Sequence, residues 1–188
     1  RIDAIAITSG VASSIEEEEA YVLDVVAALA PFGLPIGVSI YPGPETPVRL
    51  HALGVVEVKF NLETATEALF CEMCPGLSWT AIHEALSSSV ALFGRGRVFS
   101  NIIVGLGETD EDLEQVMADL AAAGVIPVLR PLTPAASLAG RPRPSADRLL
   151  RLCAAHERIL RQAGLDPRQA LTMCPACTGC DLVPGRDA

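Results

Sequence analysis

The sequence predicts an α/β chain built on a parallel sheet, on three observations. Short apolar runs alternate with stretches of helical periodicity five times along the chain. The strand-like runs read as apolar throughout, as in parallel sheets covered on both faces. Each run then ends in polar or small residues, at the carboxyl end where such sheets hold their reactive groups. Joined as right-handed βαβ units, these elements fall short of the ~250 residues of a closed eight-stranded barrel. A partial barrel or an open, doubly wound sheet remains.

The elements follow in order. The first strand runs from Ala4 to Thr8. A helix starts at Ser14-Ile15-Glu16-Glu17, a capping box, and stripes Val22, Val25, Val26 and Leu29 before Pro31 and Gly33 end it. The glutamates at 16 to 19 form a solvated first turn that favours the helix dipole. The second strand is Pro35 to Tyr41, followed by a short helix from Pro47 to the stop at Gly54. The third strand is Val55 to Phe60, with helical stretches near Thr64 to Phe70 and Ser78 to Phe93. The fourth strand, Val98 to Val104, leads to a helix from Thr109-Asp110 that stripes Leu113, Val116, Met117 and Leu120 and stops at Gly124. The fifth strand is Ile126 to Leu129. A Pro-rich loop, Pro131 to Pro144, precedes a last helix from Ser145 that stripes Leu149, Leu152, Cys153, His156, Ile159 and Leu160. Asp166 to Ala188 reads as a tail.

Composition narrows the function classes. The 188 residues fit one domain, with 50% hydrophobic and 20% charged residues, which excludes a disordered or collagen-like chain. Fourteen basic against 23 acidic residues leave a net charge of −9, unsuited to the phosphate contacts of nucleic-acid binding. No apolar run reaches the ~18 residues of a membrane span, and no secretory signal is visible. Aromatics are 4%, so aliphatic residues must build the core. The chain begins at Arg1 and enters a strand pattern at once, which reads as a fragment lacking its N-terminal part.

The strand ends carry the chemistry. In Phe60-Asn61-Leu62-Glu63-Thr64, alternation puts Asn61 and Glu63 on one face. An amide beside a carboxylate at the mouth of a barrel suits a vicinal diol. The plainer alternative is a helix cap, with Glu63 or Thr64 starting the next helix. Asn101 to Glu108 is an apolar strand entering a glycine-rich turn, Gly105-Leu106-Gly107, where a ligand's close approach is tolerated. It is neither a P-loop nor Gly-x-Gly-x-x-Gly.

Taken together, these segments resemble the radical S-adenosylmethionine (SAM) superfamily, in a branch similar to lipoyl synthase and biotin synthase. The resemblance spans Ile2 to Leu138. It implies a partial TIM-type (β/α)6 barrel lacking its first strand, so that the five strands are the family's second to sixth. It implies that Thr8, Ser9 and Gly10 meet the methionyl end of SAM and that Asn61 and Glu63 hold the ribose. The family's Gly-x-Ile-x-Gly-x-x-Glu motif matches at Ile103, Gly105 and Glu108, against adenine, with Arg130 also on that side. Its first glycine is Asn101 here. The loop Pro131 to Leu138 resembles the family's Pro-rich loop. The defining Cys-x3-Cys-x2-Cys, which holds the core [4Fe–4S] cluster, is absent from the sequence, and these residues alone are expected not to cleave SAM. In that family the cluster reduces SAM and a 5′-deoxyadenosyl radical abstracts hydrogen from substrate; sulfur insertion or cofactor biosynthesis are among the outcomes.

Six cysteines add a second theme. Cys174, Cys177 and Cys180 form a tight Cys-x2-Cys-x2-Cys, which without a secretory signal reads as metal ligation. An auxiliary iron–sulfur cluster, structural zinc and free thiols are the alternatives, in that order. Cys71 and Cys74, a lone Cys-x2-Cys, could complete that site or form another. Cys153 and His156 share an apolar helical stripe and read as core. His51 and His83 have no second ligand at helical spacing.

The expected organisation is a SAM-type barrel over 1–144, a packed helix over 145–165 and a Cys-rich tail over 166–188. The expected partners are a small-molecule substrate or protein-bound cofactor precursor and a reductant protein, with neither nucleic acid nor membrane. Iron–sulfur chemistry implies a reducing, cytoplasmic setting. Two other readings compete: a non-catalytic zinc-binding α/β module, and a barrel enzyme acting on a small phosphorylated substrate through the Gly105–Gly107 turn.

Overall fold

The computed structural model describes residues 2–135, 138–177, 179 and 181–185. Five parallel strands form one open sheet in the order β1 to β5: β1 (Ile5–Thr8), β2 (Ile36–Ser39), β3 (Glu57–Lys59), β4 (Val98–Val104) and β5 (Ile126–Pro131). The sheet does not close, and β1 and β5 are its edges. The helices are α1 (Ile15–Leu29), α2 (Thr46–Ala52), α3 (Glu67–Met73), α4 (Trp79–Phe93), α5 (Asp110–Ala123), α6 (Ala146–Ala163) and the single turn α7 (Cys174–Cys177).

Side-chain chemistry explains the boundaries. The side chains of Ser14, Thr66, Ser78, Thr109 and Ser145 each accept a backbone N–H from the first turn of α1, α3, α4, α5 and α6. The α5 cap is reciprocal, because Asp112 also accepts from the Thr109 amide at 2.9 Å. Gly124 and Gly164 take left-handed conformations that end α5 and α6. The cap of α3 is Thr66, not Glu63 or Thr64, which leaves those two residues free of helix initiation. Strand β5 continues through Arg130 to Pro131, beyond the expected end at Leu129.

Register divides the sheet into two unlike faces. Thr8 pairs with Ser39, Gly37 with Glu57, Lys59 with Phe99, Asn101 with Val128 and Ile103 with Arg130. Paired residues in parallel strands share a face. One face therefore presents Thr8, Gly37, Ser39, Glu57, Lys59, Asn101, Ile103 and Arg130. The other presents Ile36, Val38, Val58, Val98, Ile102 and Val104, which are buried in the main core with Val22, Val26, Leu50, Ile82, Leu113 and Met117 from the helices.

The segment after α6, read from sequence as a tail, covers the polar face. The Glu57 carboxylate, fully buried, accepts from the amides of Leu171 (2.8 Å), Thr172 (2.8 Å) and Met173 (3.3 Å). It also accepts from the Thr172 hydroxyl (2.7 Å) and pairs with Arg97 (2.8 Å). Gly37 permits this approach: a Cβ there would lie 2.0 Å from Thr172 Oγ1. Farther on, Leu182 bridges antiparallel to Leu129 at the β5 edge. Among the described residues, no helix is long and apolar enough to cross a membrane.

Candidate functional site

A cavity of about 470 Å³ opens at the carboxyl ends of β1, β2 and β3. Thr8, Ser9, Gly10, Asn61 and Glu63 supply its polar wall, while Ile40, Phe70 and Leu77 are among its apolar lining. A largely apolar hollow with a few convergent polar groups is the usual form of a small-molecule site. Two hydrogen-bond systems hold its rim. The Ser9 hydroxyl donates to Glu18 of α1. Tyr41, at the end of β2, accepts the Ser78 amide on its phenolic oxygen at 2.8 Å and so ties that strand to the start of α4.

The Asn61–Glu63 pair forms by an unexpected route. Simple strand alternation predicts it, yet the chain is not a strand at Glu63. Its φ is +61°, and the Thr64 amide donates to the Leu62 carbonyl at 2.7 Å across it, a γ-turn of the strained kind. Lys59 pairs with Phe99 while Glu63 bridges to Ile102, so four residues span three of β4. The turn absorbs the extra residue and leaves the Glu63 carboxylate beside Asn61, whose Nδ2 donates to it at 3.0 Å. Asn61 Oδ1 accepts the Asn101 amide at 3.2 Å, which fixes the orientation of its carboxamide. One Nδ2 hydrogen and the Glu63 carboxylate remain for a ligand. Burial raises the Glu63 pKa, opposed by the Asn61 hydrogen bond and by Lys59 and Arg130. The side-chain oxygen of Asn101, a residue 3% exposed, is buried with no hydrogen-bond partner among the described residues.

The other expected SAM contacts lie elsewhere. Ile103 and Arg130 share the polar face, but neither lines the cavity. Arg130 lies 3.9 Å from Asp181. Gly105 borders a separate crevice. The Glu108 carboxylate is turned inward: it accepts the amides of Gly105 and Leu106, each at 2.7 Å, and pairs with Arg148 at 3.1 Å. Its observed work is to hold the turn after β4.

Of the cysteines, Cys71 is exposed, and Cys74 is half-buried with its pKa raised first by burial and then by Glu63. Cys174 lies on the polar face, where Lys59, the chain's single lysine, donates to its sulfur at 2.9 Å. Burial raises the Cys174 pKa against that lysine. Cys177 is exposed at the end of α7. Cys180 lies outside the described residues. Among the described residues, no three His, Cys, Asp or Glu side chains converge as metal ligands. Cys153 and His156 are core residues, as their stripe predicts.

Sequence reasoning missed Glu57 and Lys59. Their signal was two charges at alternate positions in an otherwise apolar run, which marks a strand with one polar face.

No protein-family model matches the chain, and no curated protein matches it in sequence. Among solved structures, it is similar to a domain of pyruvate-formate lyase-activating enzyme from Bacteroides vulgatus ATCC 8482. The TM-score is 0.61 at 13% identity, over 84% of this chain and 94% of that one. The two share a fold.

Proposed function

We propose that this chain is the SAM-binding body of a radical SAM enzyme. The observation that carries the reading is the Asn61–Glu63 pair, held by a strained turn at the mouth of the 470 Å³ cavity. The shared fold supports it, since the activating enzyme is a radical SAM protein. The cavity fits the cofactor in character: two aimed polar groups for a diol, a polar strand end from Thr8 to Gly10, and apolar walls for a ring. In this family SAM supplies a 5′-deoxyadenosyl group for hydrogen abstraction from a small substrate or a protein-bound cofactor precursor.

The roles of the residues follow from their bonds. Glu63 would accept from a ribose hydroxyl, and Asn61 would donate its free hydrogen to the neighbouring oxygen. The Asn101 amide holds Asn61 in that orientation. Thr8, Ser9 and Gly10 would face the methionyl end. Ile103 and Gly105 would stand toward adenine only along the rim, and Glu108 would act there by shaping the turn. The sequence contains no Cys-x3-Cys-x2-Cys, so these residues do not supply that motif's ligands for a core cluster.

Cys174, Cys177 and Cys180 would together hold a metal. Three thiols at that spacing are soft donors suited to an auxiliary iron–sulfur cluster or zinc, and Cys174 already faces the polar side of the sheet. A brown anaerobic preparation absorbing near ~400 nm speaks for iron–sulfur, a colourless one with zinc for the alternative.

The test is SAM affinity in the protein that carries this chain. Asn61→Ala removes a donor and frees the carboxylate, so the Kd should rise about tenfold with the circular dichroism unchanged. Unchanged affinity removes the ribose assignment, and absent SAM binding in the wild type removes the reading.

A further inference from the structure

We infer that the crevice between the Gly105–Gly107 turn and the loop at 141–144 is an anion-binding subsite. It would take a phosphate or carboxylate group of a small molecule. The crevice measures about 320 Å³ and is lined by Gly105, Gly107, Arg141, Arg143, Arg148 and two prolines, with no acidic side chain among the described residues of its wall. Three guanidinium groups thus surround one hollow in a chain of net charge −9.

The pairing of the arginines sharpens the point. Arg49, Arg97, Arg130, Arg151, Arg158, Arg161 and Arg168 each face a carboxylate. Arg95 donates to the carbonyls of Ala121, Ala122 and Ala163. Within the crevice, Arg148 is committed to Glu108 and Asp110. Arg141 donates to the Leu106 carbonyl and pairs with the exposed Glu72 at 3.5 Å. Arg143 alone among the described arginines has neither ion pair nor hydrogen bond. Its fork of donors suits a phosphate or carboxylate, and Arg141 can turn its outer nitrogen from Glu72 to the same ion.

The supporting turn is built firmly. Glu108 holds the Gly105 and Leu106 amides and orients Arg148, so the glycine wall and one arginine are fixed by a single buried carboxylate. Gly105 keeps that wall open: a Cβ there would lie 3.1 Å from Pro144 Cγ, closer than ordinary packing. The crevice is on the carboxyl-end rim of the sheet, the side where ligands of open α/β sheets bind. Helix α3 joins it to the cavity, since Phe70 lines the cavity while Leu69 lies beside Gly107 and Glu72 beside Arg141. The inference stands apart from the SAM reading.

Calorimetric titration at low ionic strength tests it, with inorganic phosphate in one arm and succinate in the other. The wild-type chain should bind at least one of them, and the preferred arm identifies the group. Arg143→Gln should weaken that binding about tenfold. Arg158→Gln, which removes a surface arginine paired with Glu114 and outside the crevice lining, should not alter it. SAM affinity should persist in Arg143→Gln, so this inference and the SAM reading fail separately. No binding of either anion at 10-millimolar order of concentration, on the order expected for weak subsites, overturns it. So does equal binding by wild type and Arg143→Gln.

Discussion

Glu63 offers the sharpest test of whether the site was shaped for a ligand at the expense of stability. Its φ of +61° is a left-handed conformation, which costs a residue with a Cβ about 1–2 kcal/mol. Glycine escapes that cost but adds about 0.5–1 kcal/mol of unfolded-chain entropy. Comparing Glu63→Gly with Glu63→Ala isolates the backbone, because both variants lose the carboxylate, its desolvation and its bond to Asn61. The balance makes the glycine variant the more stable by about 0.5–1 kcal/mol. For a chain of 188 residues that is roughly 1–4 °C in Tm. Differential scanning calorimetry of the pair reads this directly, and both variants should lose SAM affinity. An alanine variant as stable as the glycine variant would refute the strain argument, and with it the case that the turn exists to aim the carboxylate.

Two other outcomes follow from buried charge. Glu57→Ala removes the acceptor of three amides and the carboxylate partner of Arg97, and should cost about 3–5 kcal/mol in urea unfolding. Hydrogen exchange at 171–173 should accelerate more than at β4, and equal protection there would show that the clamp is not what seats the segment. His156 is fully buried, and burial lowers its pKa from 6.5 to about 4, with the Pro127 carbonyl opposing weakly. The unfolded imidazole binds a proton that the folded one refuses. Stability is therefore complete above pH 6.5 and is lost as pH falls toward 4, by up to about 3 kcal/mol. His156→Leu should flatten that arm of the stability curve, and an unchanged arm would assign the acid loss to other groups.

Much of the fold was legible because apolar period and capping are local. Ser14, Ser78, Thr109 and Ser145 announce their helices, and five apolar runs announce the sheet. The Asn61–Glu63 pair was legible as a pair, but its means was not. A positive φ at a non-glycine residue leaves no compositional trace, since it is imposed by the slip between β3 and β4. The role of Glu108 was obscured for a related reason: a motif position says where a residue falls, not which way its carboxylate turns. Glu57 and Lys59 were hidden by distance, as their partners lie in a segment with no periodicity of its own. Arg143 was hidden by its setting among prolines, and only in the folded chain does it stand apart from arginines that meet carboxylates or carbonyls.

The Glu57 clamp also bears on how the molecule assembles. It joins positions 114 to 116 residues apart in the chain. Contacts of such separation are the last to become favourable, because the loop they close must already be shortened by intervening structure. The five βα units can zip up one after another from neighbouring pieces, whereas the segment at 171–173 has no surface to dock on until β2, β3 and β4 are in place. Docking of that segment is therefore expected to close folding and its departure to precede opening of the sheet, an order that hydrogen exchange at 171–173 against β4 would read. The thiol at Cys174 travels with it, so access to the polar side of the sheet and the exposure of that cysteine are one and the same event.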